Sequence, residues 1–252
     1  MRKTIKALLI ITCLALIIAI LNIEVIYNEG IDYKVYERKI PLWVKIIAFV
    51  ERDYQYKKLT LSIAKDSSED IEKLKSIFDW TCENIYSGIP PSFHIKDNHI
   101  LNIIIRGYGT QDQSADVFST LSTYAGFPAA MYAVSPQGRK ESMIVSVVSF
   151  KERFLIFDTY NKNYFINTNG EIASIKDIIK NPSILKTAKN KPIIREIPYE
   201  EYFNNLKPVE KFDKALRTEL QMPVKRLWYE LRLKLGLTKQ PEFFYYGEER
   251  AL

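Results

Sequence analysis

The sequence predicts an α+β fold in which helices come first and an antiparallel sheet follows. Two changes of pattern carry this prediction. Between residues 67 and 125 the apolar side chains recur every three or four positions, which is the spacing of helices that bury one face. From Ala129 onward, short runs rich in Val, Ile, Phe and Tyr alternate with turn residues, which is typical of successive antiparallel strands. An apolar run at the N-terminus lies outside this arrangement and predicts a separate membrane segment.

The composition limits the class of protein. A chain of 252 residues has room for one moderately large domain with appendages, and its hydrophobic content of 47% is enough for a sizeable core. The net charge of +6 arises from 36 basic residues interleaved with 30 acidic ones, so the surface is mixed. Nucleic-acid-binding proteins concentrate basic residues in a patch or stripe, and this sequence has no such stripe. We therefore expect no nucleic-acid partner.

Cysteine and histidine are scarce. Cys13 lies in the N-terminal apolar run and Cys82 in a predicted helix, so we expect neither a disulfide framework nor a thiolate metal site. Two histidines, His94 and His99, are too few for an ordinary histidine-rich zinc site. The sequence predicts no metal and no cofactor.

The first segment, residues 1–28, predicts a membrane anchor. Three basic residues precede an apolar run over residues 7–21, and residues 5–27 are long enough for a helix to cross the hydrocarbon core. A cleaved signal peptide carries small residues at its cleavage site, and none follows Leu21 in that arrangement, so the pattern favours an uncleaved anchor. Because basic residues stay on the cytoplasmic side, we expect a single-pass protein with a cytoplasmic N-terminus and an extracytoplasmic main domain.

A membrane-proximal connector is expected over residues 29–66. It contains a short helix over residues 41–50 that begins at a proline and is expected to pack on the domain. The main domain is expected to begin at Ser67. Ser67 and Asp70 have the spacing of a capping box, and the helix that they begin is predicted to run to Tyr86.

The central helix is the most sharply specified element of the sequence. Thr110 follows a glycine-punctuated turn and is a good N-cap, and Gln113 completes a second capping box. Gln111 and Asp112 therefore fall in the first helical turn, and Gly126 ends the helix. The first turn of a helix offers free N–H groups at the positive end of the helix dipole, so a reactive or binding site is expected there.

Four strands and further helices are predicted after the central helix. The strands cover residues 130–135, 142–150, 153–160 and 164–167, and two short helices cover residues 172–180 and 182–187. The main domain is thus expected over residues 67–200, with a C-terminal helical extension over residues 201–252. In the extension, Met222 to Gly236 predict a basic amphipathic helix. Such a helix can lie on an anionic membrane or pack on its own domain, and we favour packing.

The central helix and the residues that follow it resemble a known protein family. Ala115, Phe118 and the Gly-Phe-Pro-Ala run of residues 126–129 match a known pattern. The pattern resembles the core of the transglutaminase-like superfamily, whose fold is papain-like. In that family a glycine loop leads to a catalytic Cys at a helix start, and two later strands carry a His and an Asp. The resemblance covers about residues 67–160 and implies a core of helices followed by an antiparallel sheet.

The resemblance implies that two catalytic positions are substituted. Gln111 stands at the position of the Cys, and an amide cannot act as a nucleophile. The His position falls on Met143, or on Ser142 if the hairpin length differs, and neither can serve as a general base. Asp158 fits the third position, that of the orienting acid, which does little alone. The expected binding cleft is lined by Tyr108, Gln111, Asp112, Met143 and Asp158.

Three functions stay open at this point. We favour a catalytically inactive, membrane-anchored transglutaminase-like domain that binds or scaffolds peptide, glycan or protein components of a bacterial cell envelope. The second is an active hydrolase or acyltransferase of the transglutaminase-like or cysteine-peptidase class with a substituted nucleophile, in which Ser114 would need His94 or His99 as its base. The third is a structural module in which side chains close the cleft.

Overall fold

The computed structural model describes residues 2–31, 34–88, 99–138, 142–190, 197–212 and 216–238. The α-helices within these ranges are α1 (Arg2–Leu21), α2 (Leu42–Ile63), α3 (Asp70–Asn84), α4 (Ile100–Arg106), α5 (Gln111–Tyr124), α6 (Ile175–Lys180), α7 (Tyr199–Phe203) and α8 (Pro223–Lys234). The strands are β1 (Glu24–Ile31), β2 (Lys34–Pro41), β3 (Tyr86–Ser87), β4 (Tyr108–Gly109), β5 (Ala129–Val134), β6 (Met143–Phe150), β7 (Arg153–Asp158) and β8 (Asn163–Tyr164). Short 3₁₀ helices cover Pro182–Thr187 and Glu219–Gln221.

The centre of the fold is a four-stranded antiparallel meander in the order β5-β6-β7-β8. The predicted run of successive antiparallel strands is therefore confirmed, as is the combination of helices with a sheet. The fourth strand is shorter than predicted, because Asn163 pairs with Asp158 and Tyr164 with Phe157, where pairing ends. Ile166 instead forms an isolated bridge with Ile172.

The sheet separates two hydrophobic clusters, because successive side chains of a strand point to opposite faces. The face that we call the front is covered by α2, α3, α4 and α5, and the face that we call the rear is covered by α6, α7 and the first 3₁₀ helix. Strand side chains on the front are Ile144, Ser146, Val148, Leu155 and Phe157. Strand side chains on the rear are Met143, Val145, Val147, Phe154 and Ile156.

The N-terminal helix α1 is long and apolar enough to cross a membrane, by length and composition, over Thr4–Leu21. The antiparallel pair β1 and β2 follows it and returns the chain to the end of α1, where the Leu42 N–H donates to the carbonyl oxygen of Ile23 at 2.9 Å. The next helix, α2, begins after Pro41 as predicted but is much longer, with 22 residues. Its second half packs in the front cluster through Tyr56.

Helix α3 corrects one prediction about the sequence. It begins at Asp70 with Glu69 as its N-cap, so Ser67 does not start it and the predicted capping box is wrong. The physical reason is that the Ser67 hydroxyl is engaged elsewhere, 3.0 Å from the hydroxyl of Ser76. The helix ends two residues earlier than predicted, because Tyr86 enters strand β3.

Helix α5 confirms the second capping box. The backbone N–H of Thr110 donates to Gln113 Oε1 at 3.1 Å, and the helix begins at Gln111. At the other end Gly126 adopts a φ of +97°, the left-handed conformation that glycine tolerates best. Most of α5 is buried between the sheet and the surrounding helices, including polar residues on every side.

Helix α8 contradicts the preference for packing. None of its residues is buried, and the apolar side chains of its predicted inner face point outward. On its other side Tyr229 and Leu233 are half-buried, and the helix lies beside α2 and the second 3₁₀ helix. The predicted division at residues 28, 66 and 200 stays a prediction.

Candidate functional site

The start of α5 is held by the loop that precedes it. Gly107 ends α4 with a φ of +72°, and Tyr108 and Gly109 then pair in parallel with Tyr86 and Ser87. This two-residue pairing ties the loop to the end of α3. The Ser87 hydroxyl in turn donates to the carbonyl oxygen of Tyr160 at 2.7 Å, so the loop is also tied to the end of β7.

Arg106 fixes the loop from inside, and the sequence analysis missed it. Its Nη2 donates to Gln113 Oε1 at 2.7 Å, and its Nε donates to the carbonyl oxygen of Tyr108 at 2.9 Å. The capping glutamine is therefore held by a cation as well as by the N-cap. Gly109 leaves the space that this arrangement needs, since a Cβ there would lie 3.0 Å from the Gln113 side chain. The available signal was an arginine in the last helical turn before a Gly-x-Gly loop.

Gln111 occupies the first position of α5, as predicted, with 9% of its surface exposed. Its amide Nε2 is buried and has no hydrogen-bond partner in the described part of the chain. The neighbouring Asp112 is half-buried, and its carboxylate accepts a hydrogen bond from the Thr110 hydroxyl. Tyr108 is half-buried on β4, and Arg106 lies over its ring. These three predicted cleft residues are thus together at the start of α5.

Ser114 and Cys82, two side chains with nucleophilic atoms near this helix start, are both committed to packing. The Ser114 hydroxyl donates to Thr159 Oγ1 at 3.0 Å, and Cys82 Sγ lies 3.6 Å from the Thr159 carbonyl oxygen. Both residues are buried. Burial raises the pKa of the Cys82 thiol to about 12, so it is protonated at neutral pH and unreactive.

Asp158 is fully buried on the rear side of the sheet and is saturated by its neighbours. Asn161 donates to it twice, from its backbone N–H to Oδ1 at 3.0 Å and from Nδ2 to Oδ2 at 2.6 Å. The Tyr199 hydroxyl donates to Oδ2 at 2.7 Å and itself accepts from Asn163 at 2.7 Å. Burial raises the pKa of Asp158 from its ordinary value, and these hydrogen bonds oppose the shift. Asp158 therefore has a structural role in this network.

Met143 lies beside this network and not in an open cleft. It is completely buried in the rear cluster, and its sulfur lies 3.9 Å from Nδ2 of Asn161. Met143 and Asp158 therefore share Asn161 as a neighbour. Gln111 belongs to the helix that packs on the front, so the sheet lies between this helix and the other two residues. A cleft lined by Gln111, Met143 and Asp158 together stays a prediction.

The histidines give no base to Ser114 within the part of the chain that is described. His99 precedes α4, and its Nε2 lies against the guanidinium of Arg52 on α2. Ser114 already donates to Thr159. His94 lies outside the described residues.

A groove of about 770 Å³ lies at the other end of the sheet, near the start of α3 and the turn between β6 and β7. Its lining mixes charged and aromatic side chains, among them Glu69, Lys151, Arg153 and Tyr164. Nothing in the sequence analysis pointed to it, because its residues come from three separate segments.

No family model matches the chain, and a search of curated proteins gives no match. Among solved structures, the chain is similar to a candidate protease from Parabacteroides distasonis, with 16% identity and a TM-score of 0.35 over 53% of this chain and 35% of that chain. It is also similar to a candidate cysteine protease from Cytophaga hutchinsonii, with 18% identity and a TM-score of 0.38 over 54% of this chain and 49% of that chain. A third similar structure is LapG of Legionella pneumophila, with 15% identity and a TM-score of 0.33 over 55% of this chain and 89% of that chain. The chain thus spans a third to a half of the length of the first two proteins.

Proposed function

We propose that this protein is a catalytically inactive, transglutaminase-like domain that is anchored in a membrane and binds or scaffolds components of the cell envelope. One observation carries the proposal. The carboxylate of Asp158, at the position of the orienting acid, is buried and fully used by Asn161 and Tyr199. A residue so engaged cannot orient a base, and its neighbour Met143 offers no base to orient.

The start of α5 supports the same conclusion. Gln111 stands where the resemblance implies a nucleophile, and its side chain has no ionisable proton. The nearby thiol of Cys82 is buried, and its pKa is raised to about 12. We therefore infer that the described residues at the start of α5 keep the scaffold of a reactive site but do not include a nucleophile paired with a histidine base.

Catalysis is tested with the full chain in lipid vesicles, using peptide substrates for hydrolysis and a primary amine as an acyl acceptor. We expect no turnover above the rate of empty vesicles. The Ser114→Ala and Cys82→Ala variants are the matched controls, since these two residues carry nucleophilic atoms and both contact Thr159 beside α5. Turnover that disappears in either variant would contradict the proposal and support the second function, an enzyme with a substituted nucleophile.

We place the binding role in the groove near the start of α3. Phe150 and Tyr164 give it apolar surface, while Lys151 and Glu171 give it both signs of charge. Such a lining suits an extended peptide or a glycan, which need apolar contact and hydrogen bonds together. A photo-crosslinking residue at Tyr164 is expected to capture an envelope component in living cells. The matched control position is Tyr86, which is exposed outside the groove, and equal capture at both positions would count against this binding site.

The membrane orientation is part of the proposal. Three basic residues lie at the N-terminal end of α1, ahead of its apolar run, so we propose a cytoplasmic N-terminus and a main domain on the far side. Protease added to sealed cells lacking an outer barrier is expected to digest the main domain and leave an N-terminal tag intact. Protection of the domain together with digestion of the N-terminal tag would show that the orientation is the opposite one.

A further inference from the structure

Two helices of this protein have a second apolar face that the core does not use. On α2 this outer face comprises Trp43, Ile46, Ile47, Val50 and Tyr54, all of them exposed. Their spacing of three, four and seven positions places them on one side of the helix. A different side of the helix, roughly 100° to 140° around its axis, carries Tyr56 and Thr60, which are buried against the domain. The outer face is therefore a continuous stripe and not a scatter of single exposed residues.

Helix α8 has the same construction. Its outer face comprises Val224, Leu227, Trp228, Leu231 and Leu235, with exposures between 46% and 80%. The side turned to the domain carries Tyr229 and Leu233, which are half-buried. The residues that make α8 amphipathic are thus the ones that its packing leaves uncovered.

The charges of α8 favour an anionic partner. Lys225 pairs with Glu219, and Arg226 pairs with Glu230. Arg232 and Lys234, in the last turn, have no carboxylate within ion-pair distance among the residues that the structure describes. Two uncompensated cations therefore stand beside the outer apolar face.

The outer face of α2 follows the membrane anchor closely along the chain, and α8 lies against α2 in space. Helix α2 begins at the end of α1, where Leu42 and Ile23 are hydrogen-bonded. The 3₁₀ helix just before α8 is linked to α2 through Tyr124 of α5, whose hydroxyl is 2.9 Å from Asp53 Oδ1 and 3.1 Å from the carbonyl oxygen of Gln221. Asp53 lies about 16 Å along α2 from Leu42, at 1.5 Å per residue. A bilayer crossed by α1 is thus within reach of both helices.

We propose that the outer faces of α2 and α8 together form a bilayer-facing surface, which lies in the headgroup region of the membrane that α1 crosses and prefers anionic lipid. This inference rests on the anchoring by α1 in the proposed function. Amphipathic helices with tryptophan on the apolar side and lysine or arginine on the polar side bind in this way. Trp43 and Trp228 suit the interface, because an indole has an apolar body and a polar N–H group. The domain would then lie flat on the membrane at a fixed angle.

The three tryptophans of the chain allow a direct test. Trp43 and Trp228 belong to the bilayer-facing surface, whereas Trp80 lies on α3 and packs against the front cluster. The full chain is reconstituted in three versions, each keeping one tryptophan and carrying phenylalanine at the other two positions. Vesicles contain phosphatidylcholine, with or without phosphatidylglycerol, and a lipid brominated near the headgroup. We expect Trp43 and Trp228 to be quenched several-fold more than Trp80, and Trp228 more strongly with phosphatidylglycerol.

Two variants separate the apolar and the charged contributions. Leu227→Glu with Leu231→Glu should abolish quenching of Trp228 and leave Trp43 quenched. Arg232→Gln with Lys234→Gln should remove the effect of phosphatidylglycerol. The matched control, Lys73→Gln with Lys75→Gln, makes the same change of charge on α3 and should leave quenching unaltered.

The outcomes distinguish this inference from anchoring itself. An alkaline wash of the vesicles tests whether α1 anchors the chain. If the chain resists the wash but Trp228 is quenched no more than Trp80, the bilayer-facing surface is wrong and the anchoring stands. Release of the chain by the wash contradicts anchoring by α1. In that case the quenching of Trp228, measured before the wash, still shows whether α8 contacts the lipid. Shielding of Trp228 that rises with protein concentration but is insensitive to brominated lipid shows that a second copy covers α8, and this also overturns the proposal.

Discussion

The hydroxyl of Tyr199 donates a hydrogen bond of 2.7 Å to Oδ2 of Asp158, across 41 positions of the sequence. Tyr199 belongs to a short helix on the rear of the sheet, and Asp158 ends strand β7. The bond joins the segment after the sheet to the position at which the resemblance implies an orienting acid. A carboxylate that would face a base in a working triad here holds the rear layer in place.

Tyr199→Phe is expected to destabilise the protein by about 2 kcal/mol, because it leaves a buried carboxylate with one donor fewer. Chemical unfolding monitored by circular dichroism measures the change. The matched control is Tyr132→Phe, whose hydroxyl makes a longer bond of 3.3 Å to a neutral carbonyl oxygen of Lys207. Its loss should cost less than about 1 kcal/mol. Equal effects of the two substitutions would show that the Asp158 network is not special.

Local signals in the sequence predicted the local structure well. The Thr110 and Gln113 pair identified the start of α5 to the residue, since a capping box is formed within four consecutive positions. The antiparallel order of the strands followed from their short spacing. The equivalent signal at Ser67 failed because a partner nine positions away, Ser76, competes for its hydroxyl.

The candidate site was harder to predict because it depends on which face of the sheet each residue occupies. The alternation of side chains along β6 predicts that Met143 and Ile144 point to opposite faces of the sheet, but the sequence does not show which of them faces α5. Tyr199 is distant in sequence and could not be linked to Asp158 by any motif. The outward face of α8 was missed for another reason, since an amphipathic pattern is the same whether a core or a membrane covers it.

Arg217→Ala is expected to destabilise the protein in a pH-dependent manner. Arg217 makes two contacts of 2.8 Å, from Nε and Nη2, with Oδ2 of Asp116, which is buried in α5. Burial raises the pKa of Asp116 above its ordinary value, and Arg217 opposes this rise. Breaking a buried pair costs about 3 to 5 kcal/mol when the remaining charge is left unpaired.

The sign of the pH dependence follows from proton binding. A raised pKa means that the folded state keeps the Asp116 proton at pH values where the unfolded state has lost it, so stability falls as pH rises through the folded pKa. The Arg217→Ala substitution should raise the pKa of Asp116 further. The stability that it removes should therefore be large at pH 7 and much smaller near pH 4. Asp116→Asn combined with Arg217→Ala should show little of this dependence. A loss that is equal at both pH values would mean that Asp116 is not ionised in the native protein.

Cys82 is expected to be unreactive until the protein unfolds. Its thiol is buried against Thr159, and burial raises its pKa to about 12, so almost no thiolate exists at neutral pH. In a Cys13→Ala variant, Cys82 is the remaining cysteine of the chain. Alkylation by iodoacetamide should be negligible in buffer and complete in guanidinium chloride. Rapid alkylation of the native variant would reveal a reactive thiol and weaken the proposal of an inactive domain.

Restoring a cysteine and a histidine at the positions implied by the resemblance is expected to fail as an enzyme. In Gln111→Cys with Met143→His, the new thiol lies at the start of the helix on the front, whereas the imidazole replaces a side chain that is completely buried in the rear cluster. Burying an imidazole there should cost about 2 kcal/mol or more, because the rear cluster around it is mostly apolar and the neighbouring Asn161 and Asp158 are already hydrogen-bonded to each other. We expect lower stability and no thiol-dependent hydrolysis of peptide substrates. The matched variant is Gln111→Cys with Ser142→His. Ser142 is half-buried and lies just before β6, and the alternation along that strand places it on the same face as the front side chains. The Gln111→Cys with Ser142→His variant should be nearly as stable as Gln111→Cys alone. Thiol-dependent hydrolysis by the Gln111→Cys with Met143→His variant would show that the sheet does not separate positions 111 and 143.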